Sequence, residues 1–61
     1  MTLDEAKKIA VIAAWVDGGC SVCVGSVVAE LNEKFPEFVW TFDSDKMCSD
    51  EAVSVTERTS R

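Results

Sequence analysis

The sequence predicts an α+β domain in which an antiparallel two-helix hairpin packs on a small antiparallel β-hairpin. Three observations support this fold class: an apolar segment follows a helix-start motif at residues 2–5, a second follows the glycine pair 18–19, and aromatic residues alternate with others after Pro36. A chain of 61 residues forms one domain at most, and such a domain buries only about 60% of its unfolded surface. We therefore expect a single small domain over residues 1–61, with a frayed end from about residue 58.

The first helix is predicted to run from about Leu3 to Val16. Thr2 and Glu5 have the spacing of a capping box, in which each side chain accepts a hydrogen bond from a free amide at the helix start. Gly18 can adopt the left-handed conformation in which many helices end. Both ends of this helix are thus specified by neighbouring residues.

The second helix is predicted to begin between Gly19 and Ser21 and to continue to about Lys34. Pro36 opposes further extension, because its ring disfavours the helical conformation in the preceding residue, Phe35. The short turn between the two helices predicts that they are antiparallel neighbours.

A strand with an aromatic face is predicted at residues 38–42, where Phe38, Trp40 and Phe42 alternate with Val39 and Thr41.

Residues 43–46 are predicted to form a turn, and residues 52–57 a second strand that returns beside the first. The alternation of Val53 and Val55 favours this strand. A short helix capped by Ser49, with acidic residues in its first turn, is the alternative. We prefer the strand.

Charge and composition oppose several functional classes. Six basic residues stand against eleven acidic ones, for a net charge of -5, and histidine is absent. Nucleic-acid affinity comes chiefly from basic residues, and histidine is the commonest general base. We therefore expect no direct nucleic-acid binding, no enzymatic activity and no cofactor.

The first residues carry no basic segment ahead of an apolar stretch, which argues against a signal peptide and predicts a cytoplasmic location. The apolar span 9–31 contains only Asp17 and Glu30 as charged residues. A charge near mid-membrane costs about 2.5 to 3.5 kcal/mol, and the glycine pair would break the helix there. We therefore expect no association with membranes.

Eight successive apolar residues, 9–16, surround helix 1 instead of lining one side of it. So small a chain has no second internal partner for such a helix. We predict that Ile12, Trp15 and Val16 form an association face, either in a homodimer or against a larger protein. The alternative is a core helix surrounded on all sides, with small alanines tolerated at the surface.

Cys20 and Cys23 lie three residues apart in the first turn of helix 2, where the helix dipole favours thiolates. Only Cys48 remains as a further cysteine, whereas a zinc site takes four ligands. A redox pair normally follows a strand, and this one follows a helix. Three interpretations of the cysteines stay open: structural thiols, which we prefer, metal binding, and a redox-sensitive pair. For zinc, the remaining ligands would be water, Asp17, Asp45 or Asp50.

Four acidic residues cluster around the predicted turn: Asp43, Asp45, Asp50 and Glu51. Such a cluster is commonly a solvated loop that aids solubility. As a functional site, it would be an anionic surface that engages a basic patch on another protein, including one that holds nucleic acid, because complementary charge speeds association. We take these four residues as the candidate partner-binding site.

Over residues 3 to 57, two helices followed by a β-hairpin resemble part of a winged-helix module. A recognition helix presents Arg, Lys, Asn or Gln to base edges. Helix 2 instead offers Ser21, Ser26, Glu30, Asn32, Glu33 and Lys34. This departure from the pattern of a recognition helix argues against DNA recognition by helix 2.

In size, acidity and lack of catalytic residues, the chain also resembles the small inhibitors that bacteriophages make against host complexes, such as anti-CRISPR proteins. This resemblance implies a protein that inhibits or modulates a larger macromolecular complex in the host cytoplasm. The alternative function is a thiol-dependent protein that binds zinc or responds to redox state through Cys20, Cys23 and Cys48.

Overall fold

The computed structural model describes residues 1–58 and has two helices and two strands. Helix α1 spans Leu3–Ala14, helix α2 spans Ser21–Lys34, strand β1 spans Phe38–Phe42 and strand β2 spans Val53–Glu57. Short 3₁₀ turns at Val16–Gly19 and Ser44–Lys46 connect α1 to α2 and follow β1. The predicted α+β class is confirmed. The end predicted to fray from about residue 58 is ordered at Arg58, whose backbone amide donates to the Glu37 carbonyl at 3.1 Å. Residues 59–61 lie outside the described residues.

The predicted capping box begins α1. The Glu5 amide donates to Thr2 Oγ1 at 3.2 Å, and the Thr2 amide donates to Glu5 Oε1 at 2.9 Å. The helix ends at Ala14, two residues before the predicted Val16, because the backbone of Trp15 leaves the helical region at φ -110° and ψ 8°.

Three successive residues with positive φ form the turn between the helices. Their φ angles are 52° at Asp17, 70° at Gly18 and 87° at Gly19. The left-handed Gly18 was predicted, but the left-handed segment is longer than one residue. It reverses the chain within a few residues and directs it into α2.

Helix α2 ends where the proline rule predicts. Phe35 follows its last residue with φ -127° and ψ 67°, outside the helical region. The chain then passes Pro36 and enters β1.

Strands β1 and β2 pair antiparallel, with Trp40 opposite Val55 and Phe42 opposite Val53. The strand predicted over residues 52–57 is thus confirmed, and the alternative helix is wrong. Ser49 stabilises the preceding loop instead, since its hydroxyl donates to the carbonyl of Lys46 at 2.6 Å.

The core lies between the helices and one face of the sheet, with α1 packed mainly on β2 and α2 mainly on β1. Trp40 is its largest fully buried side chain, at 1% exposure. The buried residues of α1 are all alanines, which let the helix approach the sheet closely: Ala6, Ala10, Ala13 and Ala14. The alternative in which alanines take the surface is therefore wrong, because the four alanines of α1 face the core and the larger Val11 and Ile12 are exposed.

The outer edge of β1 is covered by a side chain of α2. Asn32 Nδ2 donates to the Trp40 carbonyl at 2.8 Å, and the Trp40 amide donates to Asn32 Oδ1 at 2.9 Å. Asn32 thereby takes the place of a neighbouring strand at this position. Beyond β2, the Arg58 guanidinium donates from Nε to the carbonyl of Pro36 at 2.7 Å.

Within residues 1–58, neither helix combines the length and the hydrophobicity needed to cross a bilayer.

Candidate functional site

Three large apolar side chains stand at the surface of α1. Ile12 is 72% exposed, Trp15 is 43% exposed, and Val11 is also exposed. Trp15 follows Val11 by four residues and Ile12 by three, the spacing of neighbours on a helix surface, and we call these three residues the α1 face. Single exposed apolar residues are ordinary, whereas a contiguous set marks a surface that binds other molecules. Val16, predicted to belong to the same face, is half-buried and packs against the core.

A hydrogen bond joins the α1 face to the acidic loop. The indole of Trp15 donates from Nε1 to Asp50 Oδ1 at 2.6 Å. The apolar association face and the acidic cluster were predicted as separate surfaces. The folded chain makes them one, because this contact links residues 35 positions apart.

Three of the four predicted acidic residues meet at an open groove of about 380 Å³ between α1 and β2: Asp43, Asp50 and Glu51. Ala10 and Val11 from α1, with Val53 and Val55 from β2, supply apolar lining. Asp45, the fourth predicted acidic residue, is exposed and does not line the groove. The groove therefore combines an apolar lining with carboxylates.

Two lysines, Lys7 and Lys46, also line this groove. Lys46 lies among the predicted acidic residues in the chain, whereas Lys7 reaches the site from α1 and was not predicted there. Across residues 1–58, the ion pair present is Lys34 with Glu30, at 4.0 Å, so neither groove lysine is paired with a carboxylate of the described chain. Neither lysine therefore neutralises a groove carboxylate through an ion pair within residues 1–58.

Asp43 has a second role in shaping the loop. Its Oδ1 accepts a hydrogen bond from the Asp45 amide at 3.0 Å and caps the 3₁₀ turn. Asp50 also accepts one hydrogen bond, at Oδ1 from Trp15. The Glu51 carboxylate and Asp50 Oδ2 are therefore the oxygens of the groove best placed for an external partner.

The cysteines are free thiols, and two of them gather around Asp17. The Cys23 thiol donates to Asp17 Oδ2 at 3.2 Å. The side-chain ligand atoms of Asp17, Cys20 and Cys23 all lie within 4.8 Å of one another. Cys48 stands apart from this cluster, beside Gly19, where its Sγ would lie 3.6 Å from an added Cβ. Cys20 and Cys48 are exposed. The preferred interpretation, in which the cysteines are structural thiols packed into the fold, therefore does not explain either residue.

The two clustered thiols differ in acidity. The backbone amide of Cys23, then its thiol and the backbone amide of Val22, lower the pKa of Cys20. The hydrogen bond to the Asp17 carboxylate, then that to Cys20, raises the pKa of Cys23 to about 11. Cys20 is therefore the readier thiolate, and Cys23 holds its proton.

Neither a protein-family model, nor a curated protein sequence, nor a solved structure matches this chain.

Proposed function

We propose that this protein is a non-enzymatic binding module that inhibits or modulates a larger macromolecular complex by covering a basic, partly apolar surface of a protein. One observation carries the proposal: the exposed α1 face is hydrogen-bonded through Trp15 to Asp50, at the rim of an acidic groove. An apolar centre beside charged groups is the usual composition of a protein interface.

The groove has the chemistry to receive a lysine or arginine side chain. Val11, Val53 and Val55 offer apolar contact for the aliphatic stem, since such side chains lie along apolar surface while their charged end stays in polar surroundings. Asp50 and Glu51 offer carboxylates for the charged end. The net charge of -5 adds attraction at longer range.

A smaller groove of about 200 Å³ on α2 lacks these properties. It is lined by apolar atoms of residues that include Val27, Leu31 and Phe35, and its charged residues, Glu30 and Lys34, pair with each other. It offers no unpaired charge to select a partner. The surface of α1 is therefore the better candidate.

A second copy of this chain is the competing occupant of the α1 face, as predicted from the sequence. A dimer joined through Ile12 and Trp15 would melt at a temperature that rises with protein concentration. Sedimentation of the protein alone separates the two occupants: a monomer at high concentration favours the basic partner, and a stable dimer favours self-association.

The proposal also includes a cellular location. The protein acts in the cytoplasm, the host cytoplasm if a phage encodes it, where complexes that hold nucleic acid present basic surfaces. Its size and acidity support an inhibitor of the anti-CRISPR type, because a small acidic protein can occupy a site built for phosphates.

The thiol-dependent alternative has its own observation, the cluster of Asp17, Cys20 and Cys23. In its zinc-binding form, these three residues would supply ligands and Cys48 would not. Elemental analysis of the purified protein tests this form, since a zinc protein contains stoichiometric metal and unfolds when a chelator removes it.

The binding proposal is tested by comparative affinity capture from native cells with four baits. The wild type and Glu33→Lys, an exposed charge reversal on α2, should capture the same basic protein. Ile12→Glu and the double variant Asp50→Lys/Glu51→Lys should reduce its capture at least about tenfold, the effect of roughly 1.4 kcal/mol of lost affinity. Circular dichroism confirms that each bait is folded. Equal capture by all four baits would contradict the proposal.

A further inference from the structure

The turn between the helices positions two thiols and one carboxylate at the start of α2. Asp17 adopts a left-handed conformation, φ 52°, and Cys20 occupies the N-cap position of α2 without a capping hydrogen bond from its side chain. Cys23 follows within the first turn of the helix, and its thiol reaches back to the Asp17 carboxylate at 3.2 Å. The three side chains thus meet because the left-handed segment folds the chain back on the helix start.

The two thiols have different surroundings. Cys20 is exposed and can meet a molecule from solution, whereas Cys23 is half-buried and faces Asp17. Residues three apart on a helix have Cβ atoms about 5 to 6 Å apart. A disulfide requires Cβ atoms about 3.5 to 4.5 Å apart, so closure also needs a backbone shift, which Cys20 permits because it lies at the N-cap, outside the regular helix. The two sulfur atoms already lie within 4.8 Å of each other.

We propose that Cys20 and Cys23 form a reversible disulfide by exchange with a low-molecular-weight disulfide of the glutathione type, with Asp17 accepting the proton of Cys23. This activity is independent of the binding surface on α1.

The exchange proceeds in two balanced steps. The Cys20 thiolate attacks one sulfur of the small disulfide, a mixed disulfide forms on Cys20, and one small thiolate leaves. Cys23 then transfers its proton to Asp17 and attacks Cys20 Sγ, and the second small thiolate leaves. The protein loses two thiol hydrogens, and the small disulfide is reduced to two thiols.

The acidities of the thiols agree with these roles. Nearby amides and the Cys23 thiol lower the pKa of Cys20, which favours the attacking thiolate. The Asp17 carboxylate raises the pKa of Cys23 to about 11, so the second thiol needs a proton acceptor, and the carboxylate that holds its proton is in contact with it.

The cluster fits exchange better than a closed metal site. In the part of the chain that the structure describes, the cluster of Asp17, Cys20 and Cys23 has no fourth side chain that could bind a metal. A structural zinc ion takes four protein ligands. A dithiol requires only the two cysteines that are present.

The test treats the reduced protein with oxidised glutathione and locates the products by peptide mass mapping. The wild type and Cys48→Ser should form the disulfide between residues 20 and 23. Cys23→Ser should stop at a stable adduct of one glutathione on Cys20. Cys20→Ser should react at least about tenfold more slowly at Cys23.

The role of Asp17 is tested by the pH profile of the second step, the closure of the mixed disulfide. The ionisable groups that act on Cys23 are Asp17 and Cys20, and Cys20 is blocked in the mixed disulfide. If Asp17 takes the proton during the attack, closure does not depend on prior ionisation of Cys23, so the wild-type rate should be flat between about pH 6 and pH 9. In Asp17→Asn, which also tolerates the left-handed backbone, the rate should rise about tenfold per pH unit until the thiol ionises.

The control Glu33→Gln should keep the flat profile. A glutathione adduct that forms on Cys48 instead of Cys20, or a Cys23→Ser variant that releases its adduct as the wild type does, would overturn the proposal. Identical pH profiles for Asp17→Asn and the wild type would show that Asp17 does not accept the proton of Cys23.

Discussion

The side chain of Asn32 is predicted to contribute a large share of the stability of this small domain. Its amide group makes two hydrogen bonds with the backbone of Trp40, at 2.8 and 2.9 Å. The N–H and C=O of one residue point to the same side of an antiparallel strand, so both Trp40 groups face away from β2. In Asn32→Ala they lose their partners within the protein.

Each such hydrogen bond contributes about 0.5 to 1.5 kcal/mol, and the two together predict a loss of about 1 to 3 kcal/mol. A 61-residue domain has a total stability of only about 3 to 9 kcal/mol. The variant should therefore unfold at a clearly lower urea concentration.

Urea unfolding followed by circular dichroism measures this loss. Glu33→Ala is the matched control, because Glu33 is exposed on the same helix and has no hydrogen bond or ion pair among the described residues. We expect the control to stay within about 0.5 kcal/mol of the wild type. If Asn32→Ala also stays within that range, Asn32 does not stabilise the edge of β1, and its side chain is free for another role.

Three further outcomes follow from the backbone and the charges. Gly25→Ala should stabilise the protein by about 0.5 to 1 kcal/mol in urea unfolding, because Gly25 lies within a helix and an added Cβ meets open space. Gly19→Ala should destabilise it by about 1 kcal/mol or more in the same measurement, since its φ of 87° strains any side chain. In stopped-flow binding to the captured partner, Asp50→Lys should slow association and weaken its salt dependence more than Asp45→Lys, because Asp50 lines the groove and Asp45 does not.

Local signals in the sequence were sufficient for the elements of the fold. Thr2 with Glu5, Gly18 and Pro36 act on their neighbours in the chain, so their effects on helix ends could be predicted without tertiary structure. The alternation of residues 38–42 and 52–57 likewise depends only on the geometry of a strand.

The buried side of α1 was not predictable in this way, although Ile12 and Trp15 were expected on its outer face and are exposed. Eight successive apolar residues have no pattern that distinguishes one side of a helix from another. Close packing against the sheet determines which side of α1 is buried, because small Ala10 and Ala13 fit there and Ile12 remains exposed.

The composition of the candidate site also required the folded chain. Trp15 and Asp50 are far apart in sequence, and nothing in their spacing predicts their hydrogen bond. Lys7 is likewise distant in sequence from the other charged residues of the groove, so its place there could not be predicted. The Asp17–Cys23 contact spans only six residues, but it depends on a left-handed aspartate that sequence analysis did not anticipate.

The central claim is that the α1 face contacts the partner, and site-specific photocrosslinking tests it most directly. A benzophenone amino acid replaces Ile12, at 72% exposure the most exposed large residue of the α1 face, and in a second protein it replaces Glu33, exposed on α2. Irradiation in native cells, followed by mass spectrometry of the crosslinked peptides, identifies what each position touches. We predict that position 12 crosslinks to a basic segment of one protein and that position 33 does not. Crosslinking of that protein from position 33 and not from position 12 would contradict the account.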